Sequence, residues 1–316
     1  MRNKIYTITK IPLLILLISA LFIKCDKEDN PTSTLDTLDE TIAKDAELSV
    51  FKAAIAQAKL ETFTKGPGPF TIFAPTDAAL ADAGITMATL PAIDSITLTA
   101  FVLNHFQNIA RTSFEIPEGP NGPMGSIAGF SNFSYQDKAN DKIFVSGANI
   151  IARDIKCSNG IIHKINKVLL PPVLSTIATL TANPNYSLMV QAITKAGLTN
   201  TFSPAASAPV TIFALSNATM TANGYDAATI AGLANPSPAL TALTNILKYH
   251  VIPTRNYSTD LKAGNLKTAN GASVVVSINN GVFIKGVSNA TAFKLAPVDI
   301  PASNGVIHVI ADMLKP

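Results

Sequence analysis

The chain has 316 residues, enough for two domains of ordinary size, and carries 24 Lys and Arg against 21 Asp and Glu. Residues 1–24 hold four of those bases (Arg2, Lys4, Lys10 and Lys24) and no acid, which leaves 20 bases against 21 acids in the rest and removes the main support for nucleic-acid binding. Only 14% of residues are charged, well under the usual quarter, and Thr, Ser, Asn and Ala take their place, so contact by hydrogen bonding is expected rather than long-range charge steering.

The first segment reads as an export signal. After the basic start, residues 11–23 (IPLLILLISALFI) are almost wholly apolar, the length of a signal-peptide core and short of the roughly 20 residues of a spanning helix. A short retained anchor is the alternative. Cys25 follows at once, then Asp26, Lys27, Glu28 and Asp29. This order resembles a bacterial lipoprotein signal, in which the Cys becomes the acylated first residue of the mature chain. The resemblance implies a signal peptide over 1–24, lipidation at Cys25, a polar tether over 25–34, and a chain lipid-anchored to the outer membrane or cell surface. Lys24 stands where such signals have a small residue, so periplasmic release or secretion after cleavage near Ala20 remains the alternative. Cys157 is then a lone thiol without a disulfide framework, and reads as a small buried apolar residue.

The rest of the chain repeats itself. DIKCSNGIIHKINKVLLPP at 154–172 matches DIPASNGVIHVIADMLKP at 299–316, PFTIFAPTDAAL at 69–80 matches PVTIFALSNATM at 209–220, and VFKAAIAQAKLETF at 50–63 matches MVQAITKAGLTNTF at 189–202. A period near 145 is a whole domain, so two copies are expected over 35–172 and 173–316, divided at Pro171-Pro172. Each copy reads in the same order. A helix (Leu48 to Leu60; Leu188 to Leu198) has apolar residues at helical spacing, and a strand follows in which Phe70, Ile72 and Ala74 alternate with Thr71 and Phe73. Thr76-Asp77 and Ser216-Asn217 then supply N-cap residue types, and a second helix carries Leu98, Phe101, Val102 and His105, or Leu243, Ile246, Leu247 and His250. Beyond it, Asn265, Asn270-Gly271 and Asn279-Asn280-Gly281 bound short apolar runs and signal hairpins. Each copy closes with Ser-Asn-Gly and a strand over Ile161 to Leu170 or Val306 to Leu314. The class is α+β, helices first and mostly antiparallel strands later.

FTIFAPTDAA and DIKCSNGIIHKINKVLLP in copy one, with VTIFALSNAT, Tyr249-His250 and DIPASNGVIHVIADMLKP in copy two, resemble the fasciclin (FAS1) family over about 280 residues. Copy one departs at the Tyr-His pair, where it has Asn104-His105, and copy two at Leu215, where the family has Pro. The resemblance implies two tandem fasciclin-like domains, each a mostly antiparallel β-wedge with packed helices. It implies extracellular adhesion to a protein or polysaccharide, with no catalytic site and no cofactor. It also implies that the Tyr-His region meets the partner, which makes Tyr249, His250, Asn104 and His105 the candidate contacts; a Tyr249 that simply packs in the core is the alternative.

The four histidines fall two per copy with equal spacing, His105 with His163 and His250 with His308. A two-histidine metal or acid–base site in each copy is one reading. A hydrogen-bonded core histidine locking helix to strand is the other, favoured because His163 and His308 lie on apolar strand faces and no metal-ligand spacing surrounds them. No Gly-x-Ser-x-Gly elbow or phosphate loop occurs. Asp154 and Asp299 are expected to hold the Ser-Asn-Gly turn by backbone hydrogen bonds. The function expected is a cell-surface adhesion or scaffold module, with a glycan-binding accessory lipoprotein of the outer membrane as alternative; the absence of Trp weighs against the latter.

Overall fold

The computed structural model describes residues 35–205 and 207–316. Cys25, the apolar run before it and the tether after it lie outside these residues.

Copy one opens with three helices, α1 (Leu38–Lys44), α2 (Ser49–Gln57) and α3 (Glu61–Lys65). Helix α1 starts on a capping box: Thr37 accepts the Glu40 N–H at 3.2 Å while the Glu40 carboxylate accepts the Thr37 N–H at 2.8 Å. Strand β1 (Phe70–Pro75) runs into α4 (Asp77–Asp82), capped by Thr76, and then α5 (Ser95–Asn104), capped by Asp94. The rest is β2 (Phe106–Gln107), β3 (Gly122–Gly125), β4 (Ser131–Asp137), β5 (Lys142–Val145), β6 (Ala148–Cys157) and β7 (Gly160–Ile165). These seven strands form one sheet in the order β2-β1-β7-β6-β5-β4-β3.

Copy two repeats the plan with α6 (Thr176–Ala182), α7 (Ser187–Lys195), α8 (Thr199–Phe202), β8 (Val210–Leu215), α9 (Asn217–Ala222), α10 (Ala227–Gly232) and α11 (Pro238–Tyr249). Its later strands are β9 (Val251–Ile252), β10 (Gly264–Lys267), β11 (Ser273–Ile278), β12 (Val282–Lys285), β13 (Phe293–Lys294), β14 (Ile300–Ala302) and β15 (Gly305–Ile310). Here the sheet divides into β10-β11-β12-β13 and β14-β15-β8-β9. The place of the long, bulged β6 is taken by two short strands, because Pro297 lies between them and has no N–H for a ladder.

Pairing is antiparallel except for β1 with β7 and β8 with β15, which run parallel in the middle of their sheets. Those parallel pairs explain a difference from the expected alternation. Thr71 to Pro75 and Val210 to Leu215 are buried at every position, since helices cover one face and the rest of the wedge the other. They also explain the glycine of Ser-Asn-Gly. A Cβ on Gly160 would sit 2.2 Å from the Phe70 carbonyl oxygen, and one on Gly305 2.2 Å from that of Val210, so only glycine lets the strands pair there. The preceding Asn is equally committed. Asn159 accepts the Leu38 N–H at 2.8 Å and donates to the Thr64 and Gly66 carbonyls; Asn304 accepts the Thr176 N–H at 2.8 Å and donates to Pro204. One amide thus ties the first helix and the third to the start of the last strand.

The turn at Asn279–Gly281 joins β11 to β12 as expected, with Asn280 and Gly281 at positive φ, but Asn265 lies inside β10 rather than at a turn. The final strands end at Ile165 and Ile310, short of the expected Leu170 and Leu314. The chain there leaves the ladder, and the Leu169 and Leu314 N–H groups go to histidines instead. The two copies meet through Lys167, whose ammonium lies 2.7 Å from Asp299 Oδ2, through Asn121 Nδ2 donating to the Arg255 carbonyl at 2.9 Å, and through the Arg255 guanidinium stacked 3.9 Å over the Phe133 ring.

Candidate functional site

The residues that carried the sequence motifs converge on two nodes in each copy, and both nodes are internal. The first joins Asp154, His163 and Ser113 in copy one, and Asp299, His308 and Ser258 in copy two. Asp154 and Asp299 each adopt φ of 61°, the left-handed region, where β6 bulges or β14 begins. That conformation turns the carboxylate away from its own turn. It accepts from the backbone N–H and hydroxyl of Ser113, or of Ser258, at 2.5 to 2.7 Å. The expectation that this Asp holds the Ser-Asn-Gly turn is therefore corrected: it clamps a loop 41 residues earlier. Nothing in the sequence near Ser113 or Ser258 announces that partnership.

His163 accepts the Asp154 N–H on Nδ1 at 3.2 Å and donates from Nε2 to the Arg111 carbonyl at 2.9 Å; His308 does the same with Asp299 and Asn256 at 3.1 and 2.9 Å. The Nδ1 lone pair faces a backbone N–H, which fixes the neutral tautomer. Burial lowers both histidines' pKa values. It works to raise Asp154, but the two bonds from Ser113 outweigh it and hold the carboxyl below its ordinary range. Burial opposes Asp299 in the same way, and the Lys167 ammonium and the Ser258 hydrogen bonds outweigh it. Ser, His and Asp thus meet in one place, but not in the order of a hydrolase triad. The serine hydroxyl donates to the carboxylate rather than to the imidazole, and no hydrogen bond links nucleophile to base. His163 and His308 are fully buried.

The second node sits where α5 and α11 end. His105 Nδ1 meets the Phe101 carbonyl at 2.8 Å and its Nε2 accepts the Leu169 N–H at 2.9 Å; His250 bonds the Ile246 carbonyl at 2.8 Å and the Leu314 N–H at 3.0 Å. Desolvation lowers both pKa values to about 4, so both rings are neutral at physiological pH. All eight ring nitrogens are engaged with backbone, which leaves no lone pair to ligate a metal or take a substrate proton. Among the described residues, no group of three or more His, Cys, Asp and Glu is placed to hold a metal ion.

This node also corrects the expected contact residues. Tyr249, His250 and His105 are 0% exposed and Asn104 is 1% exposed, so none of the four presents a surface to a partner. Tyr249 donates to the Ser273 carbonyl at 2.6 Å and accepts the Val287 N–H at 3.1 Å, with its ring in the core. Asn104 donates to the Leu169 carbonyl and its own carbonyl accepts from Asn132, both at 2.9 Å. The side chain at this position reaches from the end of the helix across the wedge, and burial there favours polar atoms that find partners. Cys157 is buried and free, 3.2 Å from the Thr41 hydroxyl.

The outer side of the same helix differs between copies. In copy one Ile96, Leu170 and Val173 are exposed and flank an apolar groove of about 300 Å³. In copy two Thr241 takes the place of Ile96, and Thr194, Ser237, Thr241 and Thr244 line a polar groove of about 390 Å³. No helix among the described residues is long and apolar enough to cross a membrane.

The chain matches the Fasciclin domain family over residues 46–171 and again over 184–316. It is 32% identical over 145 residues to Protein sll1483 of Synechocystis sp., covering 45% of this chain and 77% of that protein. It is 26% identical over 278 residues to transforming growth factor-beta-induced protein ig-h3 of Sus scrofa, covering 87% of this chain but only 37% of that longer protein. A FAS1 domain pair from the insect cell adhesion molecule fasciclin I is similar at 18% identity and a TM-score of 0.42, over 85% of this chain and 97% of that one. The two family matches take in both copies of the repeat, and with them the strand and Ser-Asn-Gly motifs whose geometry is described above: the chain belongs to the fasciclin domain family, as a tandem pair.

Proposed function

We propose that this protein is a cell-surface adhesion or scaffold module that binds an extracellular protein or polysaccharide through its surface. The observation that supports this reading is the direction of the motif residues. Every histidine, both motif aspartates and the Tyr249 hydroxyl are consumed by internal hydrogen bonds, so the motif builds a scaffold and leaves partner contact to the exposed faces. Fasciclin domains occur in cell-adhesion proteins, which agrees with it. The two domains are assigned to 35–172 and 173–316. The anchor is acylated Cys25, joined through the tether over 25–34, which would hold two modest contacts near one surface and raise their effective concentration. A glycan-binding accessory role in the outer membrane is the second reading, favoured by the hydroxyl-lined groove of copy two.

The test is an array of extracellular proteins and polysaccharides probed with the folded protein. Saturable retention on one class is expected. A folded protein retained by nothing on the array sinks the adhesion reading. Metabolic labelling with a fatty-acid analogue should mark the wild type and not Cys25→Ser; equal labelling of both removes the anchor.

A further inference from the structure

Between the two copies lies a cavity of about 290 Å³, at the lower end of small-ligand pockets. Phe130 and Phe133 of copy one and Pro172 of the junction form one wall, and Arg255, Tyr257 and Ser303 of copy two form the other. Arg255 is the anomaly. It is 5% exposed, yet among the described residues no carboxylate pairs with it. Its Nε has no hydrogen-bond partner, and its Nη2 reaches only the Ser303 carbonyl, at 3.4 Å. A buried cation without a counter-charge is costly, and guanidinium donors are suited to bidentate recognition of carboxylate.

The group is also held in place. Phe133 stacks beneath it at 3.9 Å, and its backbone carbonyl is fixed by Asn121 of the other copy. The nearby acids are committed elsewhere, Asp299 to Ser258 and Lys167, and Asp260 to the Tyr257 N–H. Burial lowers the pKa of Arg255, in keeping with a charge taken out of water and left unpaired. The matching place in copy one supplies a contrast. A larger cavity there, about 570 Å³, has Ala110 where Arg255 stands. The choice of site therefore rests on the guanidinium rather than on size.

We propose that this junction pocket binds a carboxylate borne on a single sugar ring, a uronate, with Arg255 taking the carboxylate. The half-buried Phe130 suits the apolar face of such a ring, and Ser303 at the rim supplies a hydroxyl. The site joins both copies, so only the pair presents it. It concerns a small anion in solution and stands apart from retention on a surface: failure on the array leaves it intact, and its failure leaves adhesion intact.

Isothermal titration of the full chain with sodium glucuronate, glucose, sodium acetate and a short oligoglutamate peptide tests it. Glucuronate should bind saturably, about ten-fold or more tighter than acetate, and glucose should not bind measurably. Arg255→Gln should weaken glucuronate about ten-fold. Ser131→Glu, which sets a like charge on an exposed rim residue without touching the core, should weaken it too and decides the matter if Arg255→Gln does not fold. Absence of glucuronate binding, equal binding of glucose, or unchanged affinity in a folded Arg255→Gln or in Ser131→Glu overturns the proposal. Tighter binding of oligoglutamate than of glucuronate overturns the assignment to a sugar.

Discussion

Helix α5 ends in Asn104 and α11, 145 residues later, in Tyr249, and the cores around them are built differently. In copy one the buried apolar residues form two groups. Phe51, Leu98 and Ile162 belong to the one under the helices, and Phe73, Met124 and Ile165 to the one across the sheet. In copy two a single group runs from Met189 and Leu247 through Tyr249 to Val274 and Ile284. An Asn bridges the node with hydrogen bonds and leaves its Oδ1 without a partner; a Tyr fills it with a ring and still satisfies two backbone groups. The sheets differ in the opposite sense, since β6 is continuous where Pro297 divides β13 from β14. The copy with the divided core has the unbroken sheet, and the copy with the divided sheet has the unbroken core. The fold accepts either means of joining its two halves, at the cost in copy one of a buried Asn104 Oδ1 left without a partner.

The largest effect should come from removing the ring. Tyr249→Ala should cost copy two about 3–5 kcal/mol, as for other buried aromatics truncated to Ala, and Tyr249→Phe about 1–3 kcal/mol for the stranded Ser273 and Val287 groups. Asn104→Ala should cost copy one less than Tyr249→Ala costs copy two. Urea unfolding of the three variants measures this, and equal losses for Asn104→Ala and Tyr249→Ala would break the comparison.

Acid should act on both copies alike. His105 and His250 keep pKa values of about 4 in the fold against an ordinary 6.5, so below pH 6.5 the unfolded chain takes up protons that the folded chain refuses. Stability present at neutral pH should therefore be lost as pH falls from about 6.5 to about 4, by about 3 kcal/mol per histidine. Unfolding followed at pH 7, 5.5 and 4.5 checks it. His250→Gln should flatten the dependence of copy two alone, and an unchanged slope in that variant would show that the ring does not govern it.

The smallest effect concerns the sheets. Amides of Phe293, Lys294 and Ile300 should exchange with deuterium about ten-fold faster than those of Ile150 and Ile155 in the continuous β6, because short strands beside a proline open locally. Equal protection would mean that the division at Pro297 has no energetic weight.

The repeat, the order of helices and strands, and the caps at Thr76 and Ser216 were legible in the sequence, because each rests on local spacing or on a side chain that bonds its own next turn. The family resemblance was legible for the same reason. The candidate site was not. Tyr249 was a contact candidate through the family resemblance and its chemical character, and burial depends on what a distant β-strand places over it; the Ser273 carbonyl lies 24 residues away. Asp154 seemed bound to its own turn because proximity in sequence is the only proximity that a sequence displays, whereas a left-handed backbone conformation sends it to Ser113.

The sequence by itself determined that this protein is two copies of one α+β domain, since hydrophobic periodicity and turn residues act over a few positions and duplicate with the chain. Only the tertiary structure decided which of the motif residues reach the surface of that domain and which are buried. Parallel pairing of β1 with β7 and of β8 with β15 brings together segments about 90 residues apart and buries both strand faces, so the motif residues turn inward. The junction between the copies was decided there too. Arg255 carries no motif in the sequence, and it is the fold that buries it and stacks its guanidinium on Phe133 of the other copy.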